Sequence, residues 1–113
     1  GLFNPSHPAV LRLIREVVRA GERRQTPVSC CGESAGDLEL ALLLLGLGLR
    51  TLSVAPPSIP HLRRLVRSVT IRQCERIARR AVALDSDGEV AAYVRDQARK
   101  IIPEAFEGRA LDE

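Results

Sequence analysis

VSCCGESAGD occupies residues 28–37 and leads directly into the apolar string LELALLLLGLGL at residues 38–49. The first string places a β-branched residue and two thiols before a glycine and an acid. This order is typical of a short strand that is followed by a helix and carries a reactive side chain at its carboxyl end. Ligands of α/β folds bind at that edge of the sheet. Cys31 is therefore a candidate catalytic residue.

The composition limits the classes of protein to which the chain can belong. It has 113 residues, which is one domain at most, with 45% apolar but only 3% aromatic residues and a net charge of +3. No window approaches eighteen apolar residues and no charged-then-apolar leader opens the chain, so we expect neither a membrane protein nor an exported one. Three cysteines, two of them adjacent, indicate a reducing, cytoplasmic location. Because the chain contains no methionine, we expect it to be a piece of a longer protein.

Predicted helices and short strands alternate on both sides of the motif at residues 28–37. The spacing predicts a helix from Pro5 to Ala20 that is capped by Ser6 and ends at Gly21. The remaining predicted elements are a strand over Pro27–Gly32, a helix from Asp37 to about Leu45 that ends with Gly46 and Gly48, a strand over Thr51–Val54, and a helix that starts at Ser58 and Pro60. This alternation predicts an α/β fold with a parallel sheet.

Two further helices follow the alternating part. Thr70 is the predicted cap of a helix to about Leu84, and Ser86 with Glu89 forms the capping box of a last helix to Pro103. We expect both to pack outside the array. The predicted division is therefore 1–69 for the βα units, 70–103 for the C-terminal helices and 104–113 for a flexible tail.

Two strands cannot form a covered, closed parallel sheet. Leu40 to Leu49 is apolar nearly all round, which predicts a helix buried between the sheet and its neighbours. We expect the missing strands to lie upstream in a longer chain or to come from another copy of this one.

The strings CCGESAGD, LLLLGLGL and LSVAPPSIPHLRRLVR together resemble one family. They are similar to the C-terminal end of the phosphoenolpyruvate-binding (β/α)8 barrel of enzyme I, the phosphoenolpyruvate–protein phosphotransferase of the bacterial sugar phosphotransferase system. The resemblance runs from about Asn4 to Leu84. It implies a C-terminal fragment of a TIM barrel, with Pro27–Cys31 as the seventh strand and Leu52–Ala55 as the eighth, followed by the C-terminal helices.

The resemblance also implies a role for the candidate cysteine. Cys31 would be the general acid that protonates C3 of enolpyruvate after phosphoenolpyruvate has given its phosphoryl group to a histidine. Gly32 would let the backbone come close to the substrate. Glu33 is a candidate for orienting the substrate or a loop, but an acid beside a glycine turn is as often a solvated cap. Alternation along the strand puts Ser29 and Cys31 on one face of the sheet, and it puts Cys30 on the face towards the helices.

Several parts of the family's machinery match nothing in this sequence. The phosphorylated histidine belongs to a separate domain, and neither His7 nor His61 lies in a matching context. The magnesium ligands of the family lie on earlier barrel strands, so we expect Mg²⁺ only in the intact protein. The implied partners are phosphoenolpyruvate and pyruvate, an HPr-type phosphocarrier protein and a second copy in a homodimer. The chain alone is expected to be inactive.

Each candidate residue could also have a purely structural role instead of a catalytic one. A cysteine in a buried strand is usually a small apolar side chain, and we interpret Cys30 in that way. Cys74 lies among charges in a helix and is interpreted as incidental, and Ser53 is expected to have a packing role. We predict no metal site in the chain, because no other Cys or His lies at ligand spacing from the cysteine pair.

Other functions stay open. The chain could be a fragment of a pyruvate phosphate dikinase-like enzyme, or a non-catalytic module for dimerisation. Seven arginines form a basic belt in the C-terminal half: Arg63, Arg64, Arg67, Arg72, Arg76, Arg79 and Arg80. They suggest a nucleic-acid or anion site. Interspersed acids and the shortage of aromatic residues argue against nucleic acid, which we do not expect as a partner.

Overall fold

Five helices and two short parallel strands make up the computed structural model, which describes residues 7–31 and 38–103, and for Cys31 the backbone alone. In chain order they are α1 (Pro8–Arg23), β1 (Ser29–Cys31), α2 (Leu38–Gly46), β2 (Thr51–Ser53), α3 (Ile59–Ser68), α4 (Ile71–Ala81) and α5 (Asp87–Ile101), with a 3₁₀ turn over Pro56–Ser58 before α3. This order confirms the predicted alternation and a helix-dominated α/β architecture. Of the helices in the described ranges, none is long and apolar enough to cross a membrane.

The first helix begins and ends at residues other than those predicted. His7 is its N-cap, and the His7 Nδ1 atom accepts a hydrogen bond of 3.1 Å from the Ala9 N–H. The predicted cap, Ser6, lies outside the described residues. The prediction that Gly21 ends the helix is wrong, because α1 continues to Arg23. A Cβ at Gly21 would lie 2.5 Å from Val28 Cγ2, so glycine is needed there for the close approach of the segment that leads into β1.

Helix α2 is the centre of the hydrophobic core. Six consecutive residues of it are buried, from Leu40 to Leu45, which confirms the prediction of a helix enclosed on all sides. The helix ends at Gly46, and Gly48 follows with a φ of 111°, a conformation that L side chains rarely adopt. Helix α2 packs most extensively against α4 and next against α5.

The two C-terminal helices begin at the predicted caps. Thr70 Oγ1 accepts from the Gln73 N–H at 3.1 Å while Gln73 Oε1 accepts from the Thr70 N–H at 2.8 Å. Ser86 Oγ accepts from the Glu89 N–H at 3.2 Å. Helix α4 ends at Ala81, three residues before the predicted Leu84.

Helix α4 packs directly on the array, against α2. A Cβ on Gly46 would lie 2.0 Å from the carbonyl oxygen of Cys74, so the backbones of α2 and α4 are in direct contact. One hydrophobic core includes residues of α1, α2, α3, α4 and α5. The Arg12 guanidinium, which donates a hydrogen bond of 3.2 Å to the Val82 carbonyl, ties α1 to the end of α4.

Candidate functional site

The two strands bring the candidate cysteine to the carboxyl edge of the sheet. β1 and β2 are parallel, with Ser29 opposite Thr51, Cys30 opposite Leu52 and Cys31 opposite Ser53. Cys31 and Ser53 are the last residues of their strands. Since parallel strands end at the same edge, the backbone at position 31 lies next to Ser53 where α/β folds bind their ligands.

The two faces of this small sheet differ in chemistry. Cys30 and Leu52 are half-buried and pack against the helical core. Ser29, Thr51 and Ser53 are exposed. The placement of Cys30 confirms that this thiol packs towards the helices. The exposed face carries hydroxyl groups at three of its register positions, and hydroxyls can both donate and accept hydrogen bonds to a polar ligand.

The rest of the predicted site lies outside the described residues. This applies to Gly32 and Glu33, to the predicted helix cap Asp37, and to the side chain of Cys31. The predicted roles of Cys31, Gly32 and Glu33 therefore stay predictions.

Ser53 and His61 are both among the described residues. Ser53 is exposed, so the expectation that it has a packing role is wrong for the described chain. His61 is exposed in the first turn of α3.

Cys74 is more important to the fold than the sequence suggested. It has no exposed surface and lies in the core between α2 and α4. Burial raises the pKa of its thiol above the ordinary value of 9.0, although the nearby charge of Arg50 lowers it in part. The interpretation of Cys74 as incidental is therefore wrong. A neutral, enclosed thiol is a packing residue and a poor nucleophile.

The seven arginines of the predicted basic belt are all exposed. The Arg80 guanidinium carbon lies 5.8 Å from the centre of the Tyr93 ring, a cation–π contact between α4 and α5. Arg76, Arg79 and Arg80 border a shallow depression beside Leu84. A nucleic-acid or anion role for the belt stays a prediction.

Magnesium was expected only with ligands from elsewhere in a longer protein. Within residues 7–31 and 38–103, no three His, Cys, Asp or Glu side chains are grouped so that they could hold a metal ion. These residues do not fit a magnesium site, and no chemical step through a metal can be assigned to them.

The sequence model of one protein family matches residues 1–71, which include both strands and α1 to α3. That family is described as "PEP-utilising enzyme, PEP-binding domain". The chain belongs to this family. The PEP-binding domain match ends at the start of α4, so α4 and α5 lie beyond it.

Curated relatives of the chain carry consistent names. The phosphoenolpyruvate-protein phosphotransferase of Buchnera aphidicola is 33% identical over 84% of the chain, and that of Borreliella burgdorferi is 39% identical over 81%. The multiphosphoryl transfer protein of Escherichia coli is 37% identical over 82% of the chain. The chain spans only 17%, 16% and 11% of these three relatives.

Proposed function

We propose that this chain is the C-terminal part of a phosphoenolpyruvate–protein phosphotransferase of the enzyme I type. The observation that supports this best is the position of Cys31, the last residue of a parallel strand in a chain of the PEP-utilising family. The names of the relatives favour a phosphotransferase over a dikinase-like enzyme. The two strands would be the last two of a (β/α)8 barrel, whose other strands would come from the rest of the protein.

The chemical role proposed for Cys31 is proton donation. Transfer of the phosphoryl group from phosphoenolpyruvate to a histidine of another domain leaves the enolate of pyruvate. The Cys31 S–H bond then breaks as a C–H bond forms at C3, which gives the pyruvate methyl group and a thiolate. In the reverse direction the thiolate removes a methyl proton. A thiol with an ordinary pKa is mostly protonated at neutral pH and can still exchange its proton.

Neighbouring residues would position the substrate for this step. Gly32 would let the backbone approach the substrate closely, and Glu33 would orient it. The exposed hydroxyls of Ser29, Thr51 and Ser53 provide hydrogen-bonding groups along the same small sheet. Such groups help to hold a reacting carbon within reach of a fixed proton donor.

The remaining parts of the proposal rest on the family resemblance. They are Mg²⁺ bound by residues elsewhere in the protein, an HPr-type phosphocarrier protein as the acceptor, and a cytoplasmic location. By the same reasoning the isolated chain would not catalyse the reaction.

The test is the exchange of pyruvate methyl protons for deuterium, followed by NMR with the full-length protein and magnesium. Cys31→Ala should reduce the exchange rate at least about a hundredfold, as expected for loss of a general acid–base group. Phosphoryl transfer from phosphoenolpyruvate to the histidine should persist at a lower rate. The matched control is Cys30→Ala, which removes the adjacent thiol from the helix-facing side.

Two outcomes would contradict the proposal. Unchanged exchange in Cys31→Ala would show that the thiol is not the proton donor. If Cys30→Ala abolished exchange and Cys31→Ala did not, the catalytic residue would be the neighbour.

A second candidate function is self-association. Leu13 and Val17 lie one turn apart on α1 and are 65% and 51% exposed. An exposed apolar pair of this kind favours contact with another protein surface, either the rest of the barrel or a second copy. Light scattering of the chain and of Leu13→Glu distinguishes the cases, since a homodimer held by this face should dissociate in the variant.

A further inference from the structure

A polar cavity of about 280 Å³ lies between α1, the loop from α2 to β2, and α4. Six charged side chains line it: Arg15, Arg19, Arg50, Arg79, Glu22 and Glu75. They come from three separate parts of the chain. Four guanidinium groups face two lining carboxylates, and Glu16 outside the lining pairs with Arg15 and Arg19, which still leaves one positive charge in excess at a concave site.

This cavity is remote from the edge that ends in Cys31. Arg50 directly precedes β2, whereas Ser53 ends it and pairs with Cys31. With a rise of about 3.3 Å per residue, the strand separates these two positions by roughly 10 Å. The cavity therefore lies at the amino ends of the strands, and it is independent of the site proposed above.

Two glycines allow the loop to form the floor of the cavity. Gly46 packs against the backbone of α4, as described above. At Gly48 a Cβ would lie 2.8 Å from Val18 Cγ1 and 3.3 Å from Glu22 Oε1. The loop is thus held against α1 on one side and α4 on the other, so that charged groups of both helices surround it.

The guanidinium groups retain hydrogen-bonding capacity. Arg50 Nη1 donates to the carbonyls of Leu45 and Leu49, both at 2.8 Å, which anchors its side chain at the loop. Arg15 Nε is buried and has no hydrogen-bond partner in the described part of the chain. Arg15 and Arg19 each lie beside Glu16, at 3.8 and 3.5 Å from its Oε1 atom. Within the described residues, no ion pair joins Arg50 or Arg79 to Glu22 or Glu75.

We infer that this cavity binds a small multivalent oxyanion, either a phosphate or a polycarboxylate. Arginine forks match phosphate and carboxylate oxygens through two parallel hydrogen bonds, and these charge-assisted bonds are stronger than neutral ones. An anion in the cavity would offset the charges of Arg50 and Arg79, for which the described residues show no ion pair.

The test is calorimetric titration of the 113-residue chain with inorganic phosphate and, separately, with citrate, against sodium chloride at equal ionic strength. We expect saturable, one-to-one binding in the millimolar range. Arg15→Gln and Arg79→Gln, from two walls of the cavity, should each weaken binding about tenfold. Arg72→Gln is the matched control, since it removes the same charge from an exposed position of α4 outside the cavity.

Each result has a definite meaning. Binding of phosphate alone or of citrate alone supports the site and identifies which oxyanion it selects. Equal weakening in all three variants, or no advantage of either anion over chloride, would overturn the inference. Should a variant fail to fold, amide NMR of the wild-type chain is the second measurement. Phosphate or citrate should shift the Leu47, Gly48 and Arg50 amides, and the absence of these shifts would also overturn it.

Discussion

The interface between α2 and α4 and the exposed face of the sheet differ in burial and in the chemistry of their side chains. In the first region leucines, alanines and Cys74 are buried and backbones touch at Gly46. In the second, three-residue strands present Ser29, Thr51 and Ser53 to the outside and contribute only half-buried side chains to the core. Packing between the helices therefore provides most of the free energy of folding. The polar side chains at the edge of the sheet contribute little to it and are available for contact with a ligand.

The largest effect is expected where the two helices touch. Gly46→Ala would place a Cβ 2.0 Å from the Cys74 carbonyl oxygen and 2.7 Å from Ala78 Cβ, so a helix must move. We expect the free energy of unfolding to fall by about 3 kcal/mol or more, measured by urea denaturation. Gly88→Ala is the control, because the nearest atom to its Cβ is Ser86 Oγ at 4.0 Å. A tolerated Gly46→Ala would show that the contact between the helices is not close.

A cavity in the same region should cost nearly as much. Leu43 is 1% exposed at the centre of the core. Leu43→Ala should lower the free energy of unfolding by about 2–5 kcal/mol, since buried leucines lose both transfer energy and packing. Leu13→Ala makes the same substitution at a residue that is 65% exposed, and its effect should be within about 0.5 kcal/mol. Similar losses in the two variants would mean that the exposed face of α1 is covered in solution.

The smallest effect is a dependence of stability on pH that comes from Cys74. Its pKa is raised by burial, so its contribution to stability is fully present below the ordinary value of 9.0. Above pH 9 the unfolded chain loses the proton first, and this contribution is lost as the pH rises through the raised pKa of the folded state. Denaturation at pH 7.5 and pH 10 should show a larger decrease for the wild type than for Cys74→Ala. Cys30→Ala should retain the decrease, and identical decreases in all three would contradict the assignment.

The order of helices and strands could be predicted because their signals are local. Caps such as Thr70 and Ser86, and the apolar run of α2, act within a few residues of their own position. Cys31 at the end of β1 was predictable for the same reason, as the strand and the following glycine are adjacent in the sequence.

Long-range contacts explain what the sequence could not predict. Gly21 was taken for a helix end, but its role is set by Val28 in the segment that packs back on it. The burial of Cys74 depends on Gly46, nearly thirty residues earlier, and charged neighbours in the sequence concealed it. The arginine-lined cavity combines residues from α1, a loop and α4, and no local pattern indicates such an assembly.

Because Cys74 is fully buried, the reactivity of its thiol reports on the separation of α2 from α4. A thiol without exposed surface reacts with an alkylating reagent only when α2 and α4 separate. The labelling rate at Cys74, resolved from those of Cys30 and Cys31 by the masses of the labelled peptides, therefore measures how often the core opens.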